Sequence, residues 1–234
     1  MLEIVFMLLA IGDTHAPLFL ERAVSEMNRT EISVDVVVHA GDLTEFPEQM
    51  AGAHRASASL PWLFVPVPGN HDDLEAFTRN FGWTPRSWVV REEPERVIVV
   101  ALDSNRRTEA QLEFLSRKIL MDEEAFFVIV LHHPPVPCSG VLLSGTSRRW
   151  REGLEGMLRS KDLVIAGHGH AECSARLECG ALVLMTALGC RKRYPCADPQ
   201  PAGSSCASPR KYGYLRVHLL ESEEWTWERV SYGS

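Results

Sequence analysis

This sequence predicts an α/β fold of two packed mixed β-sheets flanked by helices, on the strength of three features. Short apolar runs alternate with amphipathic segments as far as Ala166. From Ala171 onward the helical spacing disappears and strand-like segments continue. Five small polar clusters each follow directly on an expected strand. Alternation followed by strands alone implies two sheets in face-to-face contact with helices outside.

The elements follow in order. Glu3–Ile11 is apolar throughout, as a strand buried on both faces must be. Pro17–Asn28 has helical spacing, with proline at the start, where its missing N–H costs nothing. Val34–His39 reads as strand, Glu48–Leu60 as helix and Trp62–Val67 as strand. Leu74–Asn80 is a short helix with Asp72 or Asp73 as its cap. Trp88–Val90 and Val97–Leu102 form a hairpin around Glu92–Glu95. Thr108–Leu120 is a helix with Leu112, Leu115 and Ile119 on one face. Phe126–Leu131 is strand, Arg148–Arg159 helix and Leu163–Ala166 strand. Leu177, Leu182–Thr186, Tyr214–Leu220 and Glu224–Val230 then suggest antiparallel strands. Cys190–Lys211, rich in Pro, Ser, Cys and Arg, is the expected surface loop.

With 234 residues, 45% hydrophobic and 24% charged, the chain can bury one sizeable core, and residues 1–234 are expected to form one domain. No repeat or linker divides it, and the antiparallel region begins near residue 171. The net charge of -7 argues against a nucleic-acid polymer as partner. Met1–Ile11 carries Glu3, has no basic flank and falls well short of the roughly 20 residues that span a bilayer, so a cytoplasmic location is expected. Cys138, Cys173, Cys179, Cys190, Cys196 and Cys206 include no C-x-x-C pair; free thiols are the expectation, with disulfides left open for the last five.

Chemistry concentrates in the five clusters: Gly12-Asp13-Thr14-His15, Gly41-Asp42, Gly69-Asn70-His71-Asp72, His132-His133-Pro134 and Gly167-His168-Gly169-His170. Loops at the carboxyl ends of strands in an open α/β sheet converge on one site. They hold six of the nine histidines, which core packing does not explain. Imidazole, carboxylate and amide oxygen together suit Mn, Fe or Zn. By contrast, His39, His54 and His218 read as packing residues and Arg191-Lys192-Arg193 as a solvated loop; Arg106 and Arg107 read first as ordinary surface residues, with reach to a substrate as the lesser alternative. Val136–Leu143 reads equally as a pocket wall or as loop packing.

In order and spacing the clusters resemble the five motifs of the calcineurin-like metallophosphoesterases. The resemblance implies that family's β-sandwich and a binuclear centre of two divalent or mixed-valence ions. It implies that Asp13, His15 and His170 hold one ion, Asn70, His132 and His168 the other, and that Asp42 bridges them. A bridging hydroxide would attack phosphorus in line, and His71 would protonate the leaving oxygen or stabilise the developing charge. Asp72 either orients His71 or caps the following helix; His133 is a neighbour of the site. Thr14 stands where Leu is commoner and leaves both ligands in place. Leu102-Asp103-Ser104-Asn105 and Gln111-Leu112-Glu113-Phe114-Leu115 are similar to the small phosphodiesterase branch, which includes cyclic-nucleotide phosphodiesterases. A small phosphoester is therefore the expected substrate. The alternatives are a phosphomonoesterase or protein phosphatase of the family, and a non-catalytic scaffold, which would have lost ligands that are all present here.

Overall fold

The structure is a computed structural model and describes residues 3–29, 33–82, 85–106, 108–137, 145–170, 172–186 and 212–232, with the backbone alone for 205–207. Its strands are β1 (Ile4–Ile11), β2 (Val36–His39), β3 (Leu63–Pro66), β4 (Arg86–Arg91), β5 (Val97–Ala101), β6 (Phe126–Val130), β7 (Leu163–Ala166), β8 (Glu172–Arg176), β9 (Leu182–Met185), β10 (Ser205–Ala207), β11 (Tyr212–Leu220) and β12 (Trp225–Tyr232). The helices are α1 (Pro17–Met27), α2 (Met50–Ser57), α3 (Leu74–Phe81), α4 (Thr108–Met121) and α5 (Gly145–Glu155). One sheet runs β12-β11-β1-β2-β3 and the other β10-β8-β9-β7-β6-β5-β4, both mixed, as expected.

Period-two alternation assigns each strand's side chains to two layers. On β1, Phe6, Leu8 and Ala10 face the interior between the sheets, with Val36, Val38, Val99, Val128 and Ile165. Met7, Leu9 and Ile11 face the other way, against Leu20, Val24 and Met27 of α1 and Met50 and Ala53 of α2. The second sheet repeats the arrangement: Val100, Phe127, Ile129 and Val164 pack under Leu115 of α4 and Trp150 and Leu154 of α5. Truncating a fully buried leucine such as Leu8 to alanine would cost about 2–5 kcal/mol.

Strands β1, β2 and β3 are parallel, as are β5, β6 and β7. Contacts between His132 and Ala40 and between His168 and Asp13 bring the ends of both sets to the same rim, and the five clusters leave from five of those ends.

Several boundaries differ from the sequence reading. The 48–60 segment opens with a turn of 3-10 helix at Pro47–Gln49, and α2 stops at Ser57. α5 begins at Gly145 and stops at Glu155, before Gly156, a poor helix former. Leu177 lies in the turn after β8, where its N–H donates to the Ala181 carbonyl. The late strands do not form one antiparallel run. β9 is parallel to β7, while β11 crosses to the other sheet and pairs antiparallel with β1. A central strand buried on both faces needs a neighbour on each edge, and β2 supplies only one. The expected 190–211 loop includes β10; the rest of it, with Cys190, Cys196 and Arg191-Lys192-Arg193, lies outside the described residues, as do Cys138, Arg107 and residues 138–143. Cys179 is free, as expected, whereas Cys173 is disulfide-bonded, against the free-thiol expectation.

Candidate metal centre

The loops after β1, β2, β3, β6 and β7 bring all seven expected ligands together. Asp13, His15, Asp42 and His170 each offer a ligand atom within 4.8 Å of the others. Beside them, Asn70 Oδ1 lies 2.9 Å from His132 Nε2 and 2.8 Å from His168 Nδ1. Asp42 stands between the two groups, with Oδ2 3.7 Å from His15 Nε2 and 3.4 Å from His132 Nε2.

The backbone that achieves this is strained. Asp13, His15, Asp42, His168 and His170 all have positive φ, between 48° and 69°, in the left-handed region that side-chain-bearing residues seldom occupy. Loop-to-loop hydrogen bonds hold them there. The Asp13 N–H donates to the Gly41 carbonyl at 2.9 Å, the His15 N–H to the Asp42 carbonyl at 2.8 Å, and the His168 N–H to both Asp13 oxygens at 3.0 Å. Two glycines are required by contact distance. A Cβ at Gly69 would sit 2.0 Å from Asp42 Oδ1, and one at Gly41, itself at φ 89°, would sit 2.6 Å from His132 Nδ1.

Electrostatics and hydrogen bonds turn these side chains into lone-pair donors. Burial, and then the neighbouring Asp42, push the Asp13 carboxyl well above the usual carboxylate range. Burial holds the His132 and His168 imidazoles below their ordinary value, which disfavours their charged forms. His132 Nδ1 lies 2.8 Å from the Ala40 carbonyl, which fixes its proton there and frees Nε2 as a ligand. His15 Nδ1 is likewise turned to Glu45 at 2.8 Å, which directs Nε2 inward. His15 and His170 approach Nε2 to Nε2 at 3.3 Å, and His132 Nε2 and His168 Nδ1 at 3.2 Å. Converging lone pairs and two buried carboxylates repel one another and fit divalent cations between them.

A family model described as calcineurin-like phosphoesterase matches residues 6–172. The chain belongs to that family. Relatives include the 3′,5′-cyclic adenosine monophosphate phosphodiesterase CpdA of Escherichia coli, 30% identical over 151 residues, or 59% of this chain and 55% of that protein. A cAMP/cGMP dual specificity phosphodiesterase of Mycobacterium tuberculosis is 26% identical over 206 residues, 73% of this chain and 63% of its own length. The chain thus spans less than two thirds of the length of these relatives. Among solved structures, a dimetal phosphatase of Danio rerio shares the fold with a TM-score of 0.65 and 12% identity, over 99% of this chain and 100% of that one.

The calcineurin-like centre also holds residues whose roles differ from the sequence reading. Asp72 neither orients His71 nor caps α3. Its Oδ2 accepts the Leu43 N–H at 3.1 Å and the Gly69 N–H at 2.9 Å, and its Oδ1 accepts the Thr44 N–H at 3.0 Å. It ties the Asp42 loop to the Asn70 loop, and burial raises its pKa to about 6. Asp73 caps α3, accepting the Ala76 N–H at 2.8 Å. The carboxylate beside His71 is Glu45, with Oε2 3.2 Å from His71 Nδ1. Sequence reading missed Glu45; its one signal was an acidic residue three positions after Asp42 on the same loop. His39 is buried, as expected, but it serves the site: its Nε2 lies 3.1 Å from the Thr14 hydroxyl, which also donates to the Leu43 carbonyl. Arg106 and Asn105 line a cavity of about 250 Å³ that Asn70 and Asp103 share.

Proposed function

We propose that the chain is a phosphodiesterase working through two metal ions. Asp13, His15 and His170 would hold one ion, Asn70, His132 and His168 the other, and Asp42 both. The observation that carries this is the position of Asp42, one carboxylate within reach of imidazoles from both ligand groups. When bound, two divalent Mn, Fe or Zn ions supply a water of lowered pKa and neutralise phosphate oxygens.

The chain's own residues supply the rest. His71 stands half-exposed at the edge of the centre, its backbone N–H donating to Asp42 Oδ1 at 2.9 Å and its Nδ1 turned to Glu45. Its Nε2 is then the atom that gives a proton to the leaving oxygen, and Glu45 orients the ring through Nδ1. Asp72 is a positioning residue for the two loops.

A small phosphodiester is the substrate, cyclic nucleotides first, in keeping with the names of the two phosphodiesterase relatives and with the segment Leu102–Leu115. We take residues 1–234 to act as one domain and the cytoplasm as its location. Disulfides persist in oxidising compartments, so the Cys173 disulfide tells against that location: Cys173 found reduced in thiol-blocked cell lysates would keep the cytoplasmic reading, and Cys173 found oxidised would move the protein elsewhere.

The test is product formation from 3′,5′-cyclic AMP and cyclic GMP by Mn²⁺-loaded protein. Nucleoside monophosphate is expected. Turnover of phosphomonoesters alone would make the chain a phosphatase of the family.

A further inference from the structure

The Asp103–Asn105 loop leaves the rim after β5 and lines the cavity beside Asn70, and no ligand or proton-transfer role above falls on it. Gln111 of α4 grips it: Oε1 accepts the Asp103 N–H at 2.6 Å, and Nε2 donates to the Asp103 carbonyl at 2.8 Å. The next residue, Ser104, is fully buried and reaches across to the loop after β6. Its Oγ accepts the His133 backbone N–H at 2.9 Å and lies 2.9 Å from His133 Nδ1.

A serine hydroxyl has one hydrogen to give. Among the described residues the only acceptor that Ser104 Oγ meets is His133 Nδ1, and a buried hydroxyl that donates to nothing costs about 1–3 kcal/mol. The hydrogen therefore goes to Nδ1, and the imidazole carries its own proton on Nε2. That atom has no hydrogen-bond partner among the described residues. The ring lies against the centre, 4.5 Å from the His168 ring and 5.0 Å from the His132 ring, centroid to centroid. One of its nitrogens is within 4.8 Å of ligand nitrogens of both. With Nδ1 occupied and Nε2 protonated, His133 has no lone pair for a metal. It is an N–H donor beside the side chains that would hold the ions.

We propose that His133 binds substrate, its Nε2–H donating to a phosphate oxygen, and that Ser104 is the positioning residue that fixes this tautomer. The proposal rests on phosphoester turnover at this centre, and it gives the Leu102–Leu115 segment a function: α4 sets the loop, the loop sets Ser104, and Ser104 sets His133.

The test compares His133→Ala, His133→Gln and Ser104→Ala in the metal-loaded full chain. Three readouts are taken: metal content, kcat/KM for bis(p-nitrophenyl) phosphate, and affinity for inorganic phosphate by calorimetry. His133→Ala should keep the wild-type metal content, lose about 10²-fold in kcat/KM and bind phosphate more weakly. His133→Gln, which restores an N–H donor, should recover part of the loss. Ser104→Ala should lose about tenfold. Nitrogen NMR of the metal-free protein should show the His133 proton on Nε2 in the wild type and a mixture of tautomers in Ser104→Ala. Wild-type kinetics and phosphate affinity in His133→Ala would overturn the proposal while leaving the phosphodiesterase reading intact. Loss of a metal ion from both His133 variants would also overturn it, making His133 a ligand. If the wild type cleaves no ester yet phosphate binding still falls in His133→Ala, the reaction is wrong and the subsite stands.

Discussion

The two halves of the metal centre are built differently. Asp13, His15, Asp42 and His170 are all buried and bring two carboxylates. Asn70, His132 and His168 bring an amide and two imidazoles, and only His132 is buried; Asn70 is exposed. A cation in the first half meets opposite charge away from water, where Coulomb attraction is strong. A cation in the second half leans on the shared Asp42 and faces solvent, next to the cavity that Asn70 and Arg106 line. The closed half is suited to holding metal and the open half to meeting substrate.

Removing what the halves share should do most. Asp42→Ala is expected to empty at least one site and to lower turnover about a thousandfold or more, since metal-centred charge stabilisation is worth several kcal/mol. Two ions per chain by elemental analysis of that variant would contradict the bridging role.

His71→Ala separates chemistry from metal binding. Both ions should stay while turnover drops about 10²–10⁴-fold. An unchanged rate would remove His71 from the reaction.

The halves themselves separate by affinity. Titrating metal-stripped protein with Mn²⁺ should give one tight and one weaker equivalent, about tenfold or more apart, in line with carboxylate count. Asn70→Ala should weaken only the second. Two equal sites, or loss of the tight one, would break the distinction drawn here.

Asp72→Asn should act on the seam between the halves, and least. Its carboxylate accepts three backbone N–H groups, and an amide can accept fewer, so a loss of about 1–3 kcal/mol in unfolding free energy is expected with both ions retained.

Much of this was legible in the chain. Strand-to-helix alternation gave the parallel halves of both sheets, and the five clusters marked the side chains that meet at the rim, because each followed an apolar run; the ligand roles proposed for seven of them come from the family resemblance. What stayed hidden is of three kinds. The left-handed backbone at Asp13, His15, Asp42, His168 and His170 cannot be read from residues that rarely adopt it; it exists because neighbouring loops impose it. The roles of Glu45, Asp72 and Thr14 depend on which loops lie side by side: Thr14 bonds to Leu43, and Asp72 to Thr44. The placement of β11 beside β1, more than two hundred residues apart in the pair Ile4 and Leu220, is a long-range pairing with no local signal.

The central claim is that these loops hold two metal ions that cleave a phosphodiester, and one titration addresses it directly. Metal-stripped protein is given increasing Mn²⁺, and hydrolysis of bis(p-nitrophenyl) phosphate is followed beside that of the monoester. Turnover is predicted to stay near zero through the first equivalent and to rise with the second, with the diester preferred. Two ions bound per chain with neither ester hydrolysed would contradict the account.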